Sequence, residues 1–418
     1  MTIINKSILA GAVLALSATS AMAGGYSRGS ADLSPLLGDS TSFSGGVTYV
    51  SPTRRITAVN GVATTGGARA DYAESYFVPS AVASAKLAGN LRCAGSYAQP
   101  YGADAEYGTA EILAGVSSTT GNSLATNEFG LTCSYGFDAG PVDVYLIGGG
   151  FLQTINYTEK RGTIIGGAFV DNVADLDVSD NSFGYRIGVG VAKPEIALKA
   201  SLIYRSKVDH TVRGIQTLGA IGAAGAAASP LNVAGFTAAQ FAGNYGVFAN
   251  ANTPASVKLS LQSGVAAGTL VFGSLEWTDW STIQQVRVIG DGTGTAAVAA
   301  VFNGIQSPGG PTIDAFFRDG WTANIGVAHQ FTDSLSVLAS YTWDRGTSTG
   351  RSDNSTTHTI GAGVNYKFDE KASLRAGLAY TAIGASTYTT TGLTGAALTV
   401  TNGASSAIAG GLNISAKF

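Results

Sequence analysis

Few residues of this chain are of the types that catalyse reactions or bind metals, and they are far apart in the sequence. Its 418 residues include two cysteines, Cys93 and Cys133, three histidines and one adjacent acid–histidine pair, Asp209-His210. Two cysteines and scattered histidines are too few for a metal site. Nucleophilic catalysis needs a nucleophile and a base held together, and nothing marks a serine or second acid that would complete Asp209-His210. The sequence therefore predicts no enzyme activity, cofactor or metal.

The composition favours an outer surface that is apolar without being helical. Hydrophobic residues make up 45% of the chain and charged residues 12%, below the roughly 25–35% that keeps a soluble surface free of apolar patches. The 57 glycines follow no three-residue period that would indicate collagen. The 24 basic and 27 acidic residues give no positive field for nucleic acid. These features indicate a membrane β-barrel.

The first 23 residues have the pattern of a cleaved secretory signal peptide. Lys6 precedes an apolar run over residues 8–16, and residues 21–23 form a small-x-small cleavage site. The alternative, a transmembrane anchor, would need about 20 apolar residues. The mature chain is expected to begin at Gly24. Because it is exported, it is expected to lie in an oxidising compartment.

Two-residue alternation is the main structural signal in the rest of the chain. In residues 405–418 the apolar Ile408, Leu412 and Ile414 lie on one face, opposite Asn413 and other small or polar residues. Lipid-facing barrel strands alternate in this way over about ten residues. The pattern predicts an all-β fold, a transmembrane antiparallel β-barrel over residues 42–418. Counting back from the C-terminus gives about 14 strands, an even number as expected, starting near residues 42, 75, 91, 125, 142, 182, 196, 255, 269, 316, 335, 358, 372 and 405.

The lengths of the connections orient this barrel. Short turns of bacterial barrels are periplasmic and long loops extracellular. Tight connections at residues 138–141, 193–195, 332–334 and 369–371 alternate with long ones near residues 103–124, 158–181, 210–254, 290–315, 345–357 and 384–404. Aromatic residues at strand ends fit interfacial girdles or ordinary packing, among them Trp277, Trp280, Trp321 and Trp343.

Two of the long connections, residues 218–251 and 290–313, are rich in alanine and glycine. A spanning helix needs leucine, isoleucine, phenylalanine and valine near its centre, whereas these segments are mainly alanine and glycine, interrupted by proline and asparagine. We interpret them as apolar external loops that either capture a hydrophobic substrate or pack on themselves.

The two cysteines fall on the predicted third and fourth strands. Cys93 shares a face with Leu91 and Tyr97, and Cys133 shares one with Leu131 and Tyr135. Adjacent antiparallel strands, a common face and similar height are what a disulfide requires. The sequence leaves two alternatives open, a structural disulfide or two free thiols.

Parity along the strands predicts a set of cations that point into the lumen. A buried cation there would favour a carboxylate head group, although such residues are often solvated or paired with acids such as Glu276. The set consists of Arg92, Arg186, Lys199, Arg205, Arg375 and Lys417.

With these elements in place, the chain resembles the FadL family of outer-membrane transporters for long-chain fatty acids and other hydrophobic compounds. The resemblance runs over most of the mature chain. It rests on the order and spacing of several segments together with the terminal Phe418: FSGGVTYVSP at 43–52, YFVPS at 76–80, RCAGSY at 92–97, LSLQS at 259–263 and WTDWS at 277–281. The chain departs from the family in lacking an Asn-Pro-Ala motif in residues 24–41.

The resemblance implies a mechanism. An N-terminal plug, residues 24–41, would lie in the lumen, and a kink in the third strand would open the wall sideways. That strand runs into Gln99-Pro100-Tyr101-Gly102. Because proline cannot donate a ladder hydrogen bond, Pro100 and Gly102 mark either a lateral opening or a simple strand end. The predicted substrate-binding residues are Arg92, Arg186, Lys199, Arg205, Phe236, Phe241, Phe248 and Phe302.

The expected function is uptake of long-chain fatty acids or other hydrophobic compounds through the outer membrane of a Gram-negative bacterium. Capture at the apolar loops would be followed by lateral exit through the wall. The alternative is a general diffusion porin, which typically has a charged constriction. Expected partners are the hydrophobic substrate, outer-membrane lipid and lipopolysaccharide, and the barrel-assembly machinery through the strand ending at Phe418; nucleic acid is not expected.

Overall fold

The computed structural model describes residues 26–63, 71–107, 119–165, 168–219, 243–293, 312–391 and 396–418. Within these ranges, no helix is long and apolar enough to cross a membrane. The described strands are β1 Ser42–Pro52, β2 Ile56–Val59, β3 Val62–Ala63, β4 Tyr76–Ala88, β5 Leu91–Ala98, β6 Gly102–Glu106, β7 Thr119–Asp138, β8 Asp143–Ile165, β9 Ala168–Lys193, β10 Leu198–Arg205, β11 Val208–Leu218, β12 Gly243–Thr253, β13 Ser256–Ala266, β14 Thr269–Thr278, β15 Gln285–Gly290, β16 Thr312–Asp314, β17 Gly320–Gln330, β18 Leu335–Asp344, β19 Thr357–Lys367, β20 Ala372–Ile383, β21 Ser386–Thr391, β22 Ala397–Asn402 and β23 Ser405–Lys417.

Antiparallel pairing closes the sheet into a barrel. β1 pairs with the last strand, β23, on one side and with β4 on the other. The wall has 14 positions, because five pairs of strands each form one interrupted strand: β5 with β6, β10 with β11, β12 with β13, β14 with β15 and β16 with β17. The circuit is β1, β4, β5/β6, β7, β8, β9, β10/β11, β12/β13, β14/β15, β16/β17, β18, β19, β20 and β23. The predicted fold class and the even strand count are confirmed.

The two faces of the wall differ in chemistry, as the alternation predicts. Inward positions carry small or polar residues, for example Thr132, Ser134 and Asn365, all buried. Outward positions expose large apolar side chains, as on a lipid-facing surface: Phe183, Ile187, Leu202, Ile325, Ile360, Leu378, Leu412 and Ile414.

Two predicted loops are in part strand. β8 and β9 continue as paired strands through much of 158–181, and β11 and β12 pair within 210–254. Most outward residues of these extensions are polar, for instance Lys160 and Asp177, although Ile215 is apolar and exposed. The apolar alternation therefore stops at the membrane edge, whereas backbone pairing continues beyond it. For this reason the alternation predicts that the sixth strand starts near residue 182, whereas β9 starts at Ala168.

The long-loop end carries a small second sheet in the order β21-β22-β2-β3. It joins the connection after β1 to the predicted loop at 384–404. Ile56 and Val400 are buried beneath it, next to Tyr72. The predicted loop at 384–404 therefore contains two strands, β21 and β22, although its sequence is mostly threonine, alanine and glycine.

An N-terminal segment, residues 26–41, runs along the inner face of the wall. Its short 3-10 turn, Ser34–Leu37, buries Leu36 and Leu37 against the inward residues Val82 and Ile147. At its lower end the carbonyl of Thr41 accepts a hydrogen bond from the backbone N–H of Phe418. The predicted signal peptide lies outside the described residues.

Candidate functional site

The third strand of the wall is broken at the position that the sequence singles out. β5 ends at Ala98, which pairs with Glu128, and β6 begins at Gly102, which pairs with Ala125. Between these pairs the third strand has three residues, 99–101, where β7 has two, so one extra residue is accommodated as a bulge. Pro100, buried in this bulge, carries no N–H for the ladder.

A gap in the wall lies beside this bulge, between β4 and the third strand. Below it, pairing ends at Ala81 with Tyr97. Above it, pairing resumes at a bridge between Ala73 and Ala105. No described backbone hydrogen bond joins residues 75–80 to residues 98–103. We call this gap the window.

The N-terminal segment occupies the inner side of the window. Ser27 forms an antiparallel bridge with Tyr101. On either side of it, the Arg28 N–H donates to the carbonyl of Pro100 and the Gly102 N–H donates to the carbonyl of Tyr26, both at 2.8 Å. The bulge thus turns the backbone of the third strand inward, where the N-terminal segment satisfies its polar groups.

The bulge also carries an aromatic ring into the lumen. Tyr101 packs edge-on against Trp280 at 5.4 Å between centroids, and Trp280 packs against Phe317. Trp280 is 2% exposed. The interpretation of Trp280 as part of an interfacial girdle is therefore wrong, because this ring follows the end of β14 into the barrel interior.

Two cavities are lined in part by the N-terminal segment. The larger, about 620 Å³, runs from residues 78–82 at the window to the tight turns at 333–334 and 369–372. The smaller, about 200 Å³, is lined by Tyr101, Trp280 and a cluster of charged residues. The segment therefore borders both cavities.

The charged cluster combines two predicted cations with one acid. Glu128 accepts hydrogen bonds from Arg205 at 2.7 and 3.1 Å and is also paired with Arg186. Both guanidinium carbons lie over the ring of Phe151, at 4.6 and 4.7 Å from its centroid. Arg205 also donates to the hydroxyl of Tyr101 at 3.4 Å. The structure thus brings Arg186 and Arg205 together under the bulge, already paired with a carboxylate.

The remaining predicted cations lie lower in the lumen. Arg92 is 4% exposed and donates to the carbonyl of Ser40 at 2.8 Å. The Nζ of Lys199 is 3.5 Å from the carbonyl oxygen of Ser34. These two residues hold the N-terminal segment, whereas Arg375 and Lys417 line the larger cavity.

The aromatic residues predicted to bind substrate are not brought together among the described residues. Phe236, Phe241 and Phe302, with most of the loops 218–251 and 290–313, lie outside them. Phe248 is on the face of β12 opposite the buried Val247, and the Arg213 guanidinium lies 5.5 Å from its ring centroid.

Cys93 and Cys133 lie directly opposite each other on β5 and β7 and are joined by a disulfide, with their Cα atoms 4.0 Å apart. Their face is the outward one, shared with Leu131 and Tyr135, which are 62% and 47% exposed. Above the disulfide, Tyr97 packs on Phe129 at 5.0 Å between centroids.

A polar network centred on Asp353 lies at the long-loop end. The Asp353 carboxylate accepts from Arg54 at 3.1 Å, from the Tyr72 hydroxyl at 2.8 Å and from the Asn402 amide at 3.2 Å. Burial, aided by the charge of Asp353, raises the pKa of Tyr72 well above its usual value. Burial lowers the pKa of Arg54, but Asp353 and Tyr72 outweigh it and the net pKa is raised. Tyr72 therefore stays protonated and Arg54 stays charged across the physiological pH range.

Several residues of the site are absent from the sequence-based set. Glu128 could have been found, because it alternates with the apolar Phe129 and Leu131 and must point inward. Arg28 and Asp104, which form an ion pair, are 76 residues apart and lie outside any alternating segment. No sequence signal connects them.

Comparison with known proteins identifies the family. The family described as outer membrane protein transport protein (OMPP1/FadL/TodX) matches residues 3–418. The fold is similar to a Pseudomonas aeruginosa FadL homologue, with TM-score 0.72, 15% identity and coverage of 95% of this chain and 96% of that one. It is also similar to the Pseudomonas putida toluene transporter TodX, with TM-score 0.59, 14% identity and coverage of 95% and 96%.

The Ralstonia pickettii toluene transporter TbuX is similar too, with TM-score 0.58, 14% identity and coverage of 96% and 98%. No curated protein sequence matches the chain. The family match over nearly the whole length, with a closed barrel of 14 strands, also places the protein in the cell outer membrane. The chain belongs to the FadL/TodX family of outer-membrane transport proteins.

Proposed function

We propose that this protein takes up long-chain fatty acids or other hydrophobic compounds and releases them sideways through the window. The supporting observation is the interruption of the wall between residues 75–80 and 98–103, next to the larger cavity. A hydrophobic molecule in that cavity would contact residues 78–82, which line the interruption. Leaving through the wall avoids the cost of hydrating its apolar surface.

The N-terminal segment is proposed to act as the plug. It lines both cavities and bonds to both ends of the site, at residues 100–102 above and at Phe418 below. A continuous watery pore would need this segment to leave. The arrangement therefore supports a selective channel over a general diffusion porin.

The paired cluster of Arg186, Arg205 and Glu128 suggests an amphipathic substrate. Both cations share the single carboxylate of Glu128, so one positive charge of this trio is left for a carboxylate head group to pair with. A neutral hydrocarbon gains nothing from such a cluster. The toluene transporters among the structural neighbours make a monoaromatic hydrocarbon the second candidate.

Uptake into proteoliposomes containing the refolded mature chain tests the proposal. Three labelled solutes should be compared: a long-chain fatty acid, toluene and a small sugar. We expect the fatty acid to enter well above the protein-free background and the sugar to stay at background. A sugar leak without preference for either hydrophobic solute would establish a porin-like pore.

A further inference from the structure

We propose that Arg28 closes the window and is the side chain that a departing substrate must displace. This inference rests on the proposed lateral exit. It assigns the selection of the transported molecules to one residue of the N-terminal segment.

The Arg28 side chain connects the two edges of the window. Its guanidinium carbon lies 4.0 Å from the ring centroid of Tyr76, which belongs to β4. Its Nη2 is paired with the carboxylate of Asp104 on β6. Because β4 and the third strand share no backbone hydrogen bonds here, this side chain replaces the missing ladder. Arg28 is 5% exposed, so it fills the space it spans.

Gly102 makes this position possible. A Cβ built on Gly102 would lie 2.4 Å from both the Cζ and the Nε of Arg28. A side chain there would push the guanidinium away from β6, since contacts under 3.0 Å do not occur between real atoms of this kind. The sequence thus provides glycine where the guanidinium packs against the third strand.

The polar partners of Arg28 favour exchange with a carboxylate. Asp104 also accepts from the hydroxyl of Ser123, so it keeps a partner when Arg28 leaves. The Nε of Arg28 is buried and has no hydrogen-bond partner among the described residues. A substrate carboxylate would give that N–H an acceptor. A neutral hydrocarbon would have to break the ion pair without replacing it.

Arg28 therefore acts as a closure that discriminates by charge. Carboxylate amphiphiles exchange with Asp104 and pass, whereas neutral hydrocarbons pass slowly. Without Arg28, the window stays open to both classes.

The test measures the ratio of fatty-acid to toluene uptake in proteoliposomes. Arg28→Ala should lower this ratio severalfold, mainly by raising toluene entry, and Arg28→Lys should restore part of it. Gly102→Ala should act in the same direction, because it displaces the guanidinium while keeping every charge. Arg213→Ala, which removes an outward cation remote from the window, is the matched control and should keep the wild-type ratio.

The outcomes separate the two proposals. If Arg28→Ala fails to fold because the Asp104 carboxylate loses its counter-charge, Gly102→Ala and the pair Arg28→Ala with Asp104→Asn carry the test. Folded variants with the wild-type ratio would overturn the role of Arg28 while leaving lateral uptake intact. Wild-type protein that transports neither hydrophobic solute would overturn the proposed function itself.

Discussion

The two sides of the third strand are held in very different ways. Towards β7 the ladder runs from Leu91 to Glu106 with a single bulge and is reinforced by the Cys93–Cys133 disulfide. Towards β4, pairing covers Leu91 to Tyr97, includes a register shift and is then absent until the isolated bridge between Ala73 and Ala105.

Outward side chains show the same asymmetry. Tyr97 packs on Phe129 of β7, whereas its opposite residue on β4 is Ala81. The next outward pair on the β4 side is Ala83 with Gly95, which offers almost no side-chain contact. A wall opens where its strands are least bonded, so the third and fourth strands form one unit and the window lies on the β4 side.

The largest effect is expected from removing the charge of Glu128, which pairs with Arg186 and Arg205. Glu128→Gln would leave Arg186 and Arg205 buried without their counter-charge, and it should lower the free energy of unfolding by about 3–5 kcal/mol. Urea titration of the folded barrel in lipid, followed by tryptophan fluorescence, measures this. A loss below about 1 kcal/mol would mean that water solvates the two guanidinium groups and that their ion pairs with Glu128 do not stabilise the barrel.

Removing the disulfide should have the next largest effect. The bond joins residues 40 positions apart, so Cys93→Ala with Cys133→Ala should lower the free energy of unfolding by about 2–4 kcal/mol. The matched change on the other side, Ala83→Ser, should cost less than about 0.5 kcal/mol. Equal losses in the two variants would remove the asymmetry between the two sides of the strand.

The smallest effect is expected from a single hydroxyl. Tyr97→Phe keeps the ring contact with Phe129 but loses the bond from its hydroxyl to Asn127, which is 2.8 Å long. The expected cost is about 0.5–1.5 kcal/mol in the same titration. No measurable cost would indicate that Gln99, which also donates to Asn127 at 3.1 Å, satisfies that amide alone.

The sequence predicts the wall far better than it predicts the site. Alternation places β1, β5, β14, β18, β20 and β23 at their observed starts, because lipid on one face and small residues on the other impose a strict period. The same period sets Cys93 against Cys133. Pro100 is found separately, because proline has no N–H to donate to a ladder.

What the sequence misses depends on contacts without periodicity. The bridge between Ser27 and Tyr101 joins the N-terminal segment to a bulge 74 residues away, and Arg28 reaches Asp104 over 76 residues. Each of these two contacts depends on the position of the third-strand backbone where it turns inward at the bulge. The strand extensions of β8 and β9 are missed because polar residues replace apolar ones outside the membrane while the backbone still pairs.

The central claim is that substrate leaves through the window. Ser80 lies on the unpaired edge of β4 and lines the larger cavity. Ser80→Trp should fill that part of the window. Ala83→Trp, on the outward face three residues away on the same strand, adds the same ring to the lipid side as a control.

Uptake of a labelled long-chain fatty acid by folded Ser80→Trp barrels, compared with Ala83→Trp and the wild type, tests this claim most directly. The expected result is a severalfold loss in Ser80→Trp and wild-type uptake in Ala83→Trp. Wild-type uptake by folded Ser80→Trp barrels would contradict lateral exit and direct attention to the cavity opening at the tight turns.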